Sequence, residues 1–221
     1  MIPAHFKYHA PTDLEQVFSL MSEFGSKAKI LAGGHSLLPM MKFRFAEPGH
    51  LIDLGTVSGN DQPSVMLALD ASFELVSKAG SRLVKADQFF FGTYQTALQS
   101  DEILTKIIIP RATANRRCGF RKLKRKTGDF ATAACALTLT LEGNQCSDVR
   151  IALTNLGPKS FRAEHAEWLL NSQPLSEDSI KAAVQLAMQV CEPAEDQRGN
   201  SEYKIKMAGE MLKRALSDAI A

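Results

Sequence analysis

The sequence predicts an α+β protein in two parts, on three observations. Strand–helix–strand alternation fills residues 6 to 54, three β segments follow one another from residue 120 to 157, and three amphipathic helices close the chain. In "FKYHAPTDLEQVFSLMSEFG" a short strand becomes a helix. Thr12 and Glu15 have capping-box spacing, and Leu14, Val17, Phe18 and Met21 form one apolar stripe that Gly25 ends. "AKILAGG" then reads as a short buried strand running into glycines, and "HLIDLG" as another.

Past Gly55, "TVSGNDQPSVMLALDASFELV" contains a polar turn, a short apolar helix or strand over 64–69, and a strand near 73–76. "SRLVKADQFFFGTYQTAL" reads as loop-rich and aromatic, and "EILTKIIIP" as a β run that Pro110 stops. The polar, basic "RATANRRCG" is the expected domain boundary. Beyond it, "FRKLKRKT", "FATAACALTLTLEGN" and "CSDVRIALTNLG" predict a three-stranded antiparallel sheet, its last two strands joined by a Glu-Gly-Asn turn. A helix is expected over 160–171. The next carries the stripe Ile180, Ala183, Val184, Ala187 and Cys191, with Ser176 and Glu177 at its start. In the last helix Ile205, Ala208, Leu212, Ala215, Leu216 and Ala219 face inward, and Lys204, Lys206, Glu210 and Lys213 are expected outside.

Composition narrows the function classes. A net charge of +2 on 221 residues does not argue for a nucleic-acid partner, and no apolar run approaches membrane-spanning length. The N-terminus lacks the charged-then-apolar pattern of a signal peptide. Cys118, Cys135, Cys146 and Cys191 are widely spaced without a CxxC pair, which reads as structural thiols in a reducing compartment.

Two stretches carry candidate chemistry. In "LAGGHSLLPM", with Ser36 as N-cap, Leu37, Leu38 and Pro39 fill the first helical turn, where proline's missing N–H costs nothing. The N–H groups of Gly33 to Ser36 then converge at the positive end of a helix, an arrangement suited to phosphate or pyrophosphate. A plain tight turn is the competing reading, and the G-x-G-x-x-G spacing is absent. His35 is read as bonding the backbone rather than as an acid or base. In "RKLKRKTGDF", residues 121–130, five of the first six residues are basic. They suit a strand edge protected by charge, a nucleic-acid patch, or a cation or two facing an anionic cofactor, with Phe130 offering its ring to a flat ligand.

"AGGHSLLPMMKFR" resembles the first FAD segment of the FAD-binding medium subunit of molybdenum hydroxylases, the xanthine dehydrogenase and aerobic carbon monoxide dehydrogenase family. "KLKRKTGDFATAA", "IALTNLGP" and "EYKIKMAGEMLKRAL" are similar to that subunit's C-terminal domain. A histidine after the two glycines brings the likeness nearest to the carbon monoxide dehydrogenase branch. The resemblance implies a vanillyl-alcohol-oxidase (PCMH)-type FAD-binding domain over 1–112, internally shortened near 55–61. A C-terminal domain over 117–221, of a three-stranded antiparallel sheet and a helix bundle, follows. It implies an oxidoreductase subunit that passes electrons from the [2Fe-2S] clusters of a small subunit through FAD to an external acceptor, and a molybdopterin-binding large subunit in a dimer of heterotrimers. It also implies a cytoplasmic location, with contact to the inner membrane face through the complex. Ala32, Gly33, Gly34, His35 and Ser36 would wrap the diphosphate, Asp61 matches the aspartate of the second FAD segment, and Lys122 and Phe130 match positions near the flavin. No metal is expected on this chain.

One departure stands out. The family's block ending in a Thr-Ile-Gly-Gly turn is largely missing, echoed only by Thr56, Val57, Gly59 and Asp61, with Ser58 where a glycine belongs. Its loss removes diphosphate donors and raises a rival expectation, a non-catalytic remnant or assembly subunit that no longer holds FAD.

Overall fold

The computed structural model describes residues 3–11, 14–31, 37–42, 44–53, 62–92, 95–125 and 130–221. Thr12, whose capping role was expected, lies outside them. The chain forms two compact units. One draws on Met1–Asn60, Val76–Ser81 and Gln99–Ile103, the other on Asp61–Leu75, Arg82–Leu98 and Leu104–Ala221. This division differs from the break expected at 112–117, because apolar residues from 66 to 98 share a core with Ala136 and Ala152.

The first unit is built on β1 (Lys7–His9), β2 (Ala28–Leu31) and β3 (His50–Asp53), ordered β1-β3-β2 with both pairings parallel. Parallel strands need a crossover, and α1 (Leu14–Phe24) supplies the one from β1 to β2, which flank β3 on either side. Three residues of the stripe predicted for α1 face inward: Val17 is buried with Ile52 and Ile103, and Phe18 and Met21 pack beside them. Gly25, at φ +49°, ends the helix in a left-handed conformation and opens a single 3-10 turn, Gly25–Lys27. Helix α2 (Leu37–Lys42) follows β2, with Met41 buried.

Where β1, β3 and α1 meet, His9 Nε2 and His50 Nδ1 lie 3.0 Å apart, and the Phe24 ring stacks on His50 at 3.7 Å. Loss of water around the ring, then the charges of His9 and Lys7, hold His50 below its ordinary value of 6.5; Lys27 adds to this and Glu23 opposes it.

The second unit begins with α3 (Gln62–Ala68), the helical alternative for this apolar run. Strands β4 (Ser72–Ser77), β5 (Gly80–Lys85) and β8 (Ile103–Ile108) form a sheet ordered β5-β4-β8. The stretch expected to be loop-rich is instead ordered around aromatic rings. It forms β5, the one-turn helix α4 (Ala86–Phe89) and a small pair, β6 (Phe90–Gly92) with β7 (Gln95–Thr96). Phe73, Phe89 and Phe90 pack tilted and edge-to-face with centroids 4.4 to 5.7 Å apart, giving short elements a shared apolar anchor.

The C-terminal sheet is antiparallel, ordered β12-β11-β10-β9, with β9 (Arg116–Leu123), β10 (Ala133–Glu142), β11 (Gln145–Thr154) and β12 (Phe161–Arg162). Three long strands were expected, and the two-residue β12 is a fourth. It occupies the start of the stretch predicted as helix, so α5 runs Glu164–Ser172. Buried Glu167 explains this. It accepts from Ile151 N at 2.7 Å and from Arg162 Nε and Nη2 at 3.0 and 2.5 Å, drawing the chain against β11 before the helix begins. Strand β9 likewise starts inside the polar segment expected as a boundary, with Arg116 Nη2 bonded to Thr138 Oγ1 at 2.9 Å. Gly143, at φ +61°, makes the predicted turn between β10 and β11. Thr138 Oγ1 donates to Ala68 O at 2.7 Å, fastening the end of α3 to the sheet.

Helices α5, α6 (Glu177–Gln189) and α7 (Ser201–Ile220) bury their stripes with the sheet in the main core. Ser176 caps α6 reciprocally with Ser179, rather than with Glu177. Helix α7 starts at Asn200, whose Oδ1 accepts from Tyr203 N at 2.9 Å. Its inward face is as predicted except at Lys204, which was expected outside and is only 1% exposed. The reason is ionic: Nζ bonds Ala194 O at 2.6 Å and Asp196 Oδ1 at 2.8 Å. Cys135, Cys146 and Cys191 are buried, and Cys118 is exposed. No helix among the described residues is long and apolar enough to cross a membrane.

Among the described glycines of this unit the closest approach is at Gly119, where an added Cβ would lie 2.0 Å from Ala215 O and 2.8 Å from its carbonyl carbon. Neither is the end of a flexible side chain, so the helix itself would have to move. Gly119→Ala is expected to cost about 3 kcal/mol or more, read by chemical denaturation. The histidine pair gives a second expectation. Folded His50 binds its proton less tightly than the unfolded chain, so its contribution is complete above 6.5 and is lost as pH falls through 6.5 toward the lowered value. Hydrogen exchange at β1 and β3 amides, followed from about pH 8 to about pH 5, should record that loss. His50→Gln, which still offers His9 a partner, should flatten the dependence.

Candidate FAD-binding site

Of the residues singled out from the sequence, Ala32, Gly33, Gly34, His35, Ser36 and Asp61 lie outside the described residues, and Lys122 and Phe130 lie within them. The frame around the first group is nonetheless defined. Strand β2 ends at Leu31 and β3 at Asp53, and these two residues are register partners in a parallel pair. The chain therefore enters segments 32–36 and 54–61 from neighbouring carboxyl ends of one sheet, and α2 begins directly after the first segment. Ligands of parallel sheets collect at carboxyl strand ends, where loops diverge and backbone N–H groups are unclaimed by the ladder. A diphosphate suits that location: segment 32–36 has two adjacent glycines, which add no Cβ, and no lysine or arginine.

Phe130 lies just ahead of β10 and is 37% exposed. The backbone after it is firmly held: Asn155 Nδ2 donates to Ala131 O at 2.8 Å and to Thr132 O at 3.2 Å, and Thr132 N donates to Leu123 O at 2.7 Å. Asn155 reaches both carbonyls from a left-handed conformation, φ +62°. Lys122, half-buried on β9, stands opposite Ala134. Two cations of the basic run around it are held by intramolecular bonds at the surface. Arg121 makes a bidentate pair with Asp218, both contacts 2.5 Å, and each group's ionised form is favoured by the other. Arg125 Nη1 donates to Gln197 O at 3.0 Å.

The sequence reading missed Asp196, Arg198 and Lys204. Arg198 lies over the Phe130 ring, its guanidinium carbon 5.7 Å from the centroid, and pairs with Asp196, which also receives Lys204. One signal was present: Lys204 stands four residues before Ala208, on the line of the apolar stripe. Among the described residues no three His, Cys, Asp or Glu side chains gather as metal ligands.

Comparison with known proteins divides the chain between residues 112 and 119, not at the boundary between the two compact units. Residues 4–62 and 58–112 match the FAD binding domain in molybdopterin dehydrogenase, and residues 119–219 match the CO dehydrogenase flavoprotein C-terminal domain. The carbon monoxide dehydrogenase medium chain of Hydrogenophaga pseudoflava is 38% identical, across 100% of this chain and 99% of the relative. That of Afipia carboxidovorans is 34% identical over the same shares. The solved carbon monoxide dehydrogenase from Hydrogenophaga pseudoflava superimposes with a TM-score of 0.93, covering 100% of this chain and 99% of that chain. The first alignment occupies 284 positions against the 221 residues of this chain, so the relative has a block this chain lacks. The two pieces of the FAD-domain match meet at 58–62, which locates the loss between β3 and α3. The chain belongs to the carbon monoxide dehydrogenase medium chain family, oxidoreductase flavoprotein subunits, in a form shortened within the FAD-binding domain.

Proposed function

We propose that this chain is the FAD-binding electron-transfer subunit of a carbon monoxide dehydrogenase-like molybdenum hydroxylase. Its FAD domain spans 1–112 and its C-terminal domain 117–221. Its partners are a large molybdopterin-binding subunit and a small [2Fe-2S] subunit, in a cytoplasmic dimer of heterotrimers that contacts the inner membrane face through the complex. Bound FAD supplies the chemistry, accepting electrons from the [2Fe-2S] clusters and releasing them to an external acceptor.

The chain's own residues bind and orient. Main-chain N–H groups of Ala32, Gly33, Gly34, His35 and Ser36 hold the diphosphate without a cationic side chain. Asp61 contributes from the second segment. Lys122 adds a cation on the C-terminal side, and the Phe130 ring lies against the flavin. One observation carries this reading: the Leu31–Asp53 register brings the starts of both assigned segments to adjacent carboxyl ends of a parallel sheet. The shortening between β3 and α3 supports a second reading, a remnant or assembly subunit without FAD, since the lost block takes diphosphate donors with it.

Co-expression with large and small subunits, followed by acid release of flavin, separates the two. The first reading expects stoichiometric FAD, and the second a colourless complex. Gly33→Val is expected to abolish flavin retention, because a β-branched side chain would hold the diphosphate off the turn, while the melting temperature stays within about 4 °C of the unsubstituted protein. Full flavin content in that variant would remove the turn from the site.

A further inference from the structure

The loop entering α7 is tied down at every step. Asp196 and Gly199 form an isolated antiparallel bridge, with N–H to carbonyl distances of 3.2 and 3.1 Å. Gly199 adopts φ +149°, and a Cβ there would meet Tyr203 Cδ1 at 2.5 Å, so the turn requires glycine. Asp196 Oδ1 accepts from Lys204 Nζ at 2.8 Å and from Arg198 N at 2.8 Å, while Oδ2 accepts from Arg198 Nη1 at 3.2 Å. Burial pushes the Asp196 carboxyl up, but the bonds from Lys204 and Arg198 outweigh it and leave its pKa below the usual value. The turn then reaches outward twice, through Gln197 O to Arg125 and through Arg198 to the Phe130 ring. Arg125 and Phe130 flank residues 126–129 on the route from β9 to β10.

A lysine buried on an apolar helix face is costly, and a methionine there would fill the same space without an ion to desolvate. The arrangement makes sense if the carboxylate it fixes must aim something. We propose that Lys204, Asp196 and Arg198 are positioning residues for FAD: the buried ammonium orients the carboxylate, the carboxylate orients the guanidinium, and the guanidinium fixes the Phe130 ring and keeps a permanent positive charge beside it. This rests on the reading of Phe130 as a flavin-contacting residue. A cation held there raises the midpoint potential of bound flavin, since reduction adds electron density that the guanidinium attracts. It also lowers the ordering cost of binding, because the ring is already placed.

The test uses the full chain, co-purified with its partners, carrying Arg198→Gln or Arg198→Lys. Arg198→Gln is expected to weaken FAD binding roughly fivefold and to lower the midpoint potential, with Arg198→Lys recovering most of both. Unchanged affinity and potential in Arg198→Gln overturn the assignment. A readout without flavin accompanies it: Asp196→Asn should speed trypsin cleavage after Lys124 and Arg125 in the apoprotein, and equal rates overturn the Asp196 network as a clamp on Arg125 and Phe130. If the unsubstituted complex holds no FAD, the functional reading fails, and the digestion alone decides whether the clamp exists.

Discussion

The seating of α7 on β9 and β10 is the constraint from which the C-terminal half takes its shape. At Gly119 the sheet and helix meet backbone to backbone, a distance only glycine permits, and the stripe from Ala208 to Ala219 fills the seam on either side. The ends of the seam are fixed differently. Near the helix C-terminus, Arg121 and Asp218 close an exposed bidentate pair whose net worth in water is small. Near its N-terminus Lys204 is sealed from solvent, so its partner carboxylate has little freedom to choose another position. One helix thus organises both the core and the loop beside Phe130.

The N-terminal unit works by a different device. Its sheet is small and parallel, with β3 in the middle, and parallel pairing sends successive loops out at the same edge. Shortening between β3 and α3 leaves that edge in place while removing part of what followed it. On the proposed reading, segment 32–36 carries more of the diphosphate contact than it would with that block present. Flavin affinity then depends more on contacts made elsewhere, which gives the residues around Phe130 greater weight.

Much of the fold was legible where periodicity and turn chemistry agree. The β10–β11 hairpin announced itself through Glu-Gly-Asn between two apolar runs, the start of α6 through Ser176, and α1 and α7 through their stripes. What could not be read depends on partners distant in sequence. Strand β12 exists because Glu167 draws in Arg162 and the amide of Ile151, and β9 extends into polar sequence because Arg116 finds Thr138 across the ladder. The aromatic stretch from Phe89 to Phe91 looked like loop because its elements are too short to show a period. For the site the contrast is similar. Glycines before a helix display their purpose in residue type alone, whereas a lysine inside an apolar stripe reads as surface until Asp196 is seen beneath it.

The four cysteines acquire meaning in an oxidoreductase flavoprotein subunit. Reduced flavoproteins exposed to air leak peroxide, and a sulfur atom is attacked chiefly as its thiolate. Burial raises the thiol pKa of Cys135 and Cys146, and pushes Cys191 up to about 12, so these three stay protonated and screened among apolar neighbours. Cys118 alone faces solvent, on the strand adjoining α7. Among the cysteines, oxidation therefore falls first on Cys118, one residue from Gly119, where strand and helix meet backbone to backbone.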